Sequence, residues 1–146
     1  MKKLLSIIVL SLLWCNVGLT KDLTGKKLLC DGFVENTKIG IEFFSSSVGS
    51  YYEIRNEISW MLLEFDFNYV VKTDYINMVT NSVVISKKGY RTAGINLPSL
   101  NRKTLKLGKK VQSQCELVDF KPGHLRLFME SLLNDLKNQS DEKNKI

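Results

Sequence analysis

The sequence predicts a mainly β protein, either an antiparallel meander or a small β-barrel, closed or partly open, of about 7–9 strands with one C-terminal amphipathic helix. Two observations predict this fold class. Between residues 27 and 120, apolar and polar residues alternate in short runs that Gly, Asn, Ser or Lys-Lys-Gly interrupt. After Pro122, the apolar residues recur with a helical period instead.

Strands are placed on the alternating runs. The candidate strands are residues 27–34, 38–44, 48–56, 60–72, 75–79, 82–87, 90–95, 104–107 and 111–118. Residues 87–89 and 108–110 are predicted to be hairpin loops, because each contains a glycine that can take the positive φ that such a loop needs. A third hairpin is predicted at residues 45–47, which contain no glycine.

An amphipathic helix is predicted over about residues 122–137. Pro122 suits its first turn, where the missing amide hydrogen is not needed. The opposite face carries charges of both signs, so we expect the helix to dock on the sheet or across an open barrel end rather than to lie on a membrane. Residues 21–138 are expected to form a single β-rich domain, and residues 139–146 a disordered tail with too little apolar surface to order itself. The apolar stripe consists of Leu125, Phe128, Met129, Leu132, Leu133 and Leu136.

Residues 1–20 have the pattern of a secretory signal peptide. Lys2 and Lys3 precede an apolar run that is shorter than the roughly 20 residues of a membrane-spanning helix. We therefore expect cleavage after Thr20 and no integral membrane segment in the mature protein. Cys15 raises the alternative of a lipoprotein, but the bulky Trp14 stands where a lipidation site needs a small residue. The expected location is the periplasm or the outside of the cell.

Cys30 and Cys115 are the cysteines that remain after cleavage, and an even count in an exported chain predicts a disulfide between them. The bridge would close a loop of about 85 residues, for which the chain-entropy model gives at most about 4.5 kcal/mol. If Cys30 lies in the first strand and Cys115 in the last, the bridge would clasp a closed barrel. A separation of the two Cα atoms above about 7 Å would exclude it.

The charge and the functional groups exclude several classes of function. The net charge of +6 comes mostly from scattered lysines rather than from clustered arginines, which argues against nucleic-acid binding. His124 is the single histidine, and both cysteines are expected to be bridged. The histidine therefore lacks the further ligands that a metal site needs, and no metal and no cofactor are expected. Glu64 and Asp66 share one face of a strand at a spacing of about 7 Å, near the separation that some glycoside hydrolases use.

Aromatic residues are frequent in the strand region, and they either fill a small barrel or line a cavity in it. Adjacent aromatic pairs place one ring on each face of a strand, so some rings must point outward. We take Phe44, Tyr51, Trp60 and Tyr69 as a possible binding surface.

Several short motifs resemble those of a group of uncharacterised small exported proteins of low-GC Gram-negative bacteria. These motifs are residues 23–30 (Leu-Thr-Gly-Lys-Lys-Leu-Leu-Cys), 40–44 (Gly-Ile-Glu-Phe-Phe), 101–107 (Asn-Arg-Lys-Thr-Leu-Lys-Leu) and 114–116 (Gln-Cys-Glu). The resemblance implies an exported β-rich domain and carries no activity with it. A looser likeness links the chain to lipocalin-like barrels and to small barrels that inhibit C-type lysozyme, but no inhibitory or ligand-binding residue of either family matches.

The leading hypothesis is an exported periplasmic or envelope binding module, not an enzyme, for a small apolar ligand or another envelope protein. The first alternative is an envelope hydrolase that uses Glu64 or Asp66 with His124. The second is an inhibitor of a foreign secreted enzyme such as lysozyme.

Overall fold

The computed structural model describes residues 22–56, 58–86 and 89–143, with the side chains of residues 81–93 and 95 left outside the description. The predicted signal peptide, including Cys15, therefore lies outside the described residues. So do Lys87 and Lys88, where one hairpin loop is predicted.

Nine strands and one helix are present in the described part of the chain. They are β1 (Lys27–Asp31), β2 (Lys38–Phe43), β3 (Val48–Asn56), β4 (Trp60–Val71), β5 (Tyr75–Ser86), β6 (Gly89–Asn96), β7 (Leu100–Asn101), β8 (Lys106–Leu107), β9 (Ser113–Leu117) and α1 (His124–Lys143). The mainly β fold with a C-terminal helix is thus confirmed.

Eight of the strands close into an antiparallel barrel. Strands β1 to β5 follow one another around it, β5 pairs with β7, and β8 and β9 lead back to β1. Strand β6 pairs with the C-terminal part of β5, from Val79 to Ser86, and extends the sheet beyond the barrel wall. Closure pairs the backbone groups that an open sheet would leave exposed at its two edges.

The disulfide joins β1 and β9, the two strands whose pairing closes the barrel. Cys30 on β1 and Cys115 on β9 are direct cross-strand partners and are bonded to each other. Their Cα atoms are 3.9 Å apart, well within the 7 Å limit. The predicted pairing is therefore confirmed, and it links the first strand of the barrel to the last.

Some strand boundaries differ from the prediction. Residues 75–79 and 82–87 were expected to be two strands, but β5 runs unbroken through Thr80, because Ile76, Met78 and Thr80 continue one buried face. Strand β8 is shorter than expected because Leu105 has a φ of 54°, which is not a strand conformation. The short strand β7 was not predicted.

The barrel interior is filled by aromatic and aliphatic side chains from alternate positions of the strands. Phe43, Phe67 and Tyr69 pack edge to face, with ring centroids 5.0 to 6.1 Å apart. Gly49 makes room for this cluster, because a Cβ atom at Gly49 would lie 2.6 Å from Cζ of Phe67. The part of the barrel interior around this aromatic cluster is therefore a packed core rather than a cavity.

Helix α1 docks on the outer face of β2, β3 and β4. Leu125 and Met129 are buried there against Tyr52 and Ile54. This contact explains why Tyr52 and Ile54 are apolar although they point away from the barrel interior. Of the two docking modes considered, the helix takes the one on the sheet.

The helix is longer than predicted, since it ends at Lys143 rather than near residue 137. The expectation of a disordered tail from residue 139 is corrected for residues 139–143, which are helical. The stretch contains neither Gly nor Pro, so nothing in it interrupts the backbone hydrogen bonds that the docked turns have begun.

The two ends of the barrel differ. At one end, Leu23 is fully buried and the Tyr69 hydroxyl donates a hydrogen bond to the Ser45 carbonyl at 2.5 Å, which closes the barrel. At the other, the open end, β4 and β5 stop pairing beyond Asn68 and Val79, and each continues with its own hairpin partner. The open end also carries the loops 32–37 and 108–112 and the segment 97–99.

Candidate binding cleft

A cleft lies at the open end, where the β3–β4 and β5–β6 hairpins separate. It consists of a larger cavity of about 780 Å³ and a smaller one of about 280 Å³. The two cavities adjoin, because four residues line both of them. The shared residues are Phe33, Asn96, Leu97 and Pro98.

The outer wall of the cleft is built from two loops that are fixed to each other. The Ser113 hydroxyl donates a hydrogen bond to the Asp31 carbonyl, which joins the start of β9, directly after the β8–β9 loop, to the end of β1. Phe33 lies against Gly108, where an added Cβ atom would be 3.7 Å from the phenyl ring. Gly108 has a φ of 90°, as the predicted hairpin requires, and its amide donates to the Ser99 carbonyl at 2.9 Å.

The smaller cavity reaches inward to Tyr51 on β3. Tyr51 is 1% exposed, and its hydroxyl, although it interacts with the Glu53 carboxylate, has no hydrogen-bond partner of normal geometry. Burial raises the pKa of Tyr51, and the neighbouring Glu53 carboxylate raises it further. Phe65 and Leu97 supply apolar surface beside it. The floor of the cleft therefore combines apolar walls with one unsatisfied polar group.

Glu53 and Arg55 follow Tyr51 on the inward face of β3, since alternate residues of a strand share a face. Their side chains form a two-point ion pair, with Nε–Oε1 at 2.9 Å and Nη2–Oε2 at 3.1 Å. This geometry fixes the guanidinium and compensates both charges at the wall of the smaller cavity.

The residues predicted as a binding surface lie in different parts of the molecule. Tyr51 lines the cleft. Tyr69 is buried at the closed end, and Phe44 is 50% exposed in the loop next to it. Trp60 is half-buried among the side chains that pack under α1. The structure therefore does not bring the four together, and Tyr51 is the one that reaches the cleft.

The residues of the hydrolase alternative lie on the outside of the barrel. Glu64 accepts a hydrogen bond from Nε of Arg126 at 2.9 Å, and this contact raises the pKa of Arg126. Asp66 accepts a hydrogen bond from the Ser50 hydroxyl at 2.5 Å. His124 is exposed at the first residue of α1. Each carboxylate thus already has a structural partner.

The described residues contain no group of three or more His, Cys, Asp or Glu side chains placed to hold a metal ion. None of their helices has both the length and the apolar character to cross a membrane.

Most residues of the cleft were not predicted from the sequence. Phe33 was assigned to a strand, although β1 ends at Asp31, and residues 96–98 carried no distinctive motif. The Lys109-Lys110 pair marked a loop, but a loop signal does not say which other segment lies next to it. The cleft joins segments that are far apart in the sequence, and only the barrel closure brings them together.

The fold and the cleft together define a class of protein: a small disulfide-clasped antiparallel barrel with a helix on its outer face and a cleft at one end. No protein-family model, no curated protein and no solved structure matches the chain.

Proposed function

We propose that this chain is an exported envelope protein that binds a small, largely apolar ligand in the open-end cleft and is not an enzyme. The observation that carries this proposal is the Tyr51 hydroxyl, which is buried without a hydrogen bond of normal geometry at the floor of the cleft, beside the apolar side chains of Phe65 and Leu97. A buried polar group left unsatisfied costs about 1–3 kcal/mol. A ligand with a polar group that reaches Tyr51 would remove this cost.

The size and the lining of the cleft support a small-molecule ligand. Ligand sites are typically clefts of roughly 300–1,000 Å³ with apolar walls and a few placed polar groups. The larger cavity, at about 780 Å³, falls in this range. Phe33, Met78 and Leu97 supply apolar wall. The polar groups come from Asn77, Asn96, Ser99, Lys109 and Lys110 in the larger cavity and from Tyr51, Glu53, Arg55 and Thr80 in the smaller one.

Export is supported by two independent features. The first 20 residues have the charge and apolar pattern of a signal peptide. The disulfide between Cys30 and Cys115 fits an oxidising compartment such as the periplasm, because disulfides are rare where thiols are kept reduced.

Filling the cleft tests the proposal. The apolar fluorophore 1-N-phenylnaphthylamine, titrated into the exported protein, is expected to give a saturable rise in fluorescence. Asn96 lines both cavities at an exposed position, so Asn96→Trp should block the cleft and weaken the binding of the fluorophore at least tenfold. Asn68→Trp, on the outer face of β4, is the matched control and should leave the binding unchanged.

Two results would overturn the proposal. One is the absence of saturable binding by the wild-type protein. The other is equal binding by the Asn96→Trp and Asn68→Trp variants, because the fluorophore would then bind elsewhere. Trp60 is not a suitable reporter, since it lies under α1 and does not line the cleft.

A further inference from the structure

The charges that line the cleft are unbalanced. Among the described residues that line the two cavities, Glu53 is the one acidic residue, and it is paired with Arg55. Lys109 and Lys110 also line the larger cavity, at its mouth in the β8–β9 loop. Within the described residues neither lysine forms an ion pair. The lining therefore carries two uncompensated positive charges next to an apolar wall.

Such an arrangement favours one chemistry. A cleft lined by charges of one sign concentrates ligands of the opposite sign. A lysine ammonium pairs with a carboxylate or a phosphate as a point charge and does not need a fixed fork geometry. The apolar wall beside the lysines excludes a small hydrated anion as the best ligand, because that wall would stay uncovered.

We infer that the ligand of the cleft is an anionic amphiphile whose carboxylate or phosphate lies between Lys109 and Lys110, while its apolar chain lies along Phe33, Met78 and Leu97. This inference rests on the proposed function and specifies its ligand class. The far end of the chain enters the smaller cavity, where a hydroxyl or carbonyl group of the ligand reaches the Tyr51 hydroxyl.

The position of the two lysines supports this orientation. Gly108 takes its positive φ at the start of the loop, and Phe33 packs against it, so the loop is held at the rim of the larger cavity. Tyr51 lies in the interior of the barrel, at the inner end of the smaller cavity. The charged end of the ligand therefore remains near solvent, where ion pairing costs the least desolvation.

The test uses two ligands that differ only in charge at one end. In displacement of 1-N-phenylnaphthylamine, 12-hydroxydodecanoate is expected to act at a concentration at least tenfold lower than 1,12-dodecanediol. The Lys109→Met/Lys110→Met double variant should bring the carboxylate to the level of the diol and leave the diol unchanged. Lys121→Met/Lys137→Met, which removes two exposed lysines outside the cleft, is the matched control and should preserve the difference.

Added salt should weaken the binding of the carboxylate and not that of the diol, since the lysines are exposed and their charges are screened. Dodecyl phosphate in the same assay shows which of the two anionic groups binds more tightly, and preference for either over the diol supports the inference. Equal displacement by carboxylate, phosphate and diol would overturn it while leaving the proposed function intact. If the fluorophore itself does not bind, the proposed function and the inference about its ligand class fail together.

Discussion

Leu125 of α1 lies directly over Gly40 of β2, so close that a Cβ atom added at Gly40 would be 3.3 Å from the Leu125 side chain. Because Gly40 has no side chain, it leaves a depression in the outer face of the sheet that lets the helix approach closely. Leu125 is fully buried in this depression. The contact fixes the first turn of the helix against the barrel and sets the face that the rest of the helix buries.

Leu125→Ala is expected to destabilise the protein by about 2–5 kcal/mol, because the loss of a fully buried leucine side chain leaves a cavity. Leu127→Ala is the matched control, since Leu127 is 57% exposed on the same helix and its loss should cost less than about 0.5 kcal/mol. Urea unfolding of both variants measures the two values. Similar values for both would show that α1 does not dock through Leu125.

Removal of the disulfide tests the closure of the barrel. The double substitution Cys30→Ala/Cys115→Ala is expected to lower the free energy of unfolding by about 3–4.5 kcal/mol, because the unfolded chain loses a constraint between residues 85 apart. Urea unfolding of the variant against the oxidised wild type gives the difference. An unchanged midpoint would mean that the pairing of β1 with β9 needs no covalent support.

The ion pair between Lys27 and Glu42 is buried, with Nζ 3.4 Å from Oε1 and side-chain exposures of 7% and 3%. Lys27→Met would leave the Glu42 carboxylate buried without its counter-charge, and we expect a loss of about 3–5 kcal/mol. Replacing both residues by Met should cost less than replacing Lys27 alone. A double-mutant cycle in urea measures the coupling between the two residues.

The exposed pair of Lys38 and Asp31 is the control for that cycle, with an Nζ–Oδ1 distance of 2.7 Å. Its geometry is tighter, but solvent screens it, so Lys38→Met should cost less than about 1 kcal/mol. A larger cost at Lys38 than at Lys27 would contradict the argument that burial, not distance, decides the contribution.

The buried tyrosines predict a loss of stability at alkaline pH. Burial is the main reason that the pKa of each of Tyr51, Tyr52 and Tyr69 is raised in the folded protein. The folded state therefore keeps protons that the unfolded chain loses above about pH 10. Stability is fully present below that pH and falls as the pH rises, by up to about 1.4 kcal/mol per pH unit for each tyrosine. Urea unfolding at pH 8 to 11 measures this slope.

Substitution of single tyrosines separates their contributions. Tyr51→Phe removes a hydroxyl that makes no hydrogen bond of normal geometry, so at pH 7 it should be neutral or stabilising by about 1 kcal/mol, and it should reduce the alkaline slope. Tyr69→Phe loses the hydrogen bond to the Ser45 carbonyl and should cost about 1 kcal/mol at pH 7. A destabilising Tyr51→Phe would show that its hydroxyl is already satisfied.

Much of the architecture could be predicted from local pattern. Strands β2, β3 and β4 begin where their period-two runs begin, and the Gly108 hairpin forms where a glycine permits a positive φ. The hairpin at residues 45–47 forms without glycine because the Ser45 hydroxyl accepts hydrogen bonds from the amides of Ser47 and Val48. Serine in such a turn is a local signal, so it too was within reach of the sequence.

The cleft, in contrast, could not be predicted from local sequence patterns. Phe33 and Lys109 come from two different loops and Asn96 from the end of β6, and no local pattern states that these segments are neighbours. Tyr51 was singled out as one of several aromatic residues, but its burial without a hydrogen-bond partner of normal geometry depends on where β4 and β5 separate. The length of α1 was also underestimated, because docking of its first turns supports a helical end that has little propensity of its own.

The sequence by itself determined the properties that act over a few residues: the alternation that makes strands, the glycines that turn the chain, the apolar stripe of the helix, and the even pair of cysteines left for a disulfide. Only the tertiary structure decided that β5 pairs with β7, that α1 covers β2 to β4, and that the β3–β4 and β5–β6 hairpins separate to leave a cleft. The physical reason is that periodicity and turn chemistry are local, whereas closure of a barrel depends on the summed packing and hydrogen bonding of strands that the sequence places far apart.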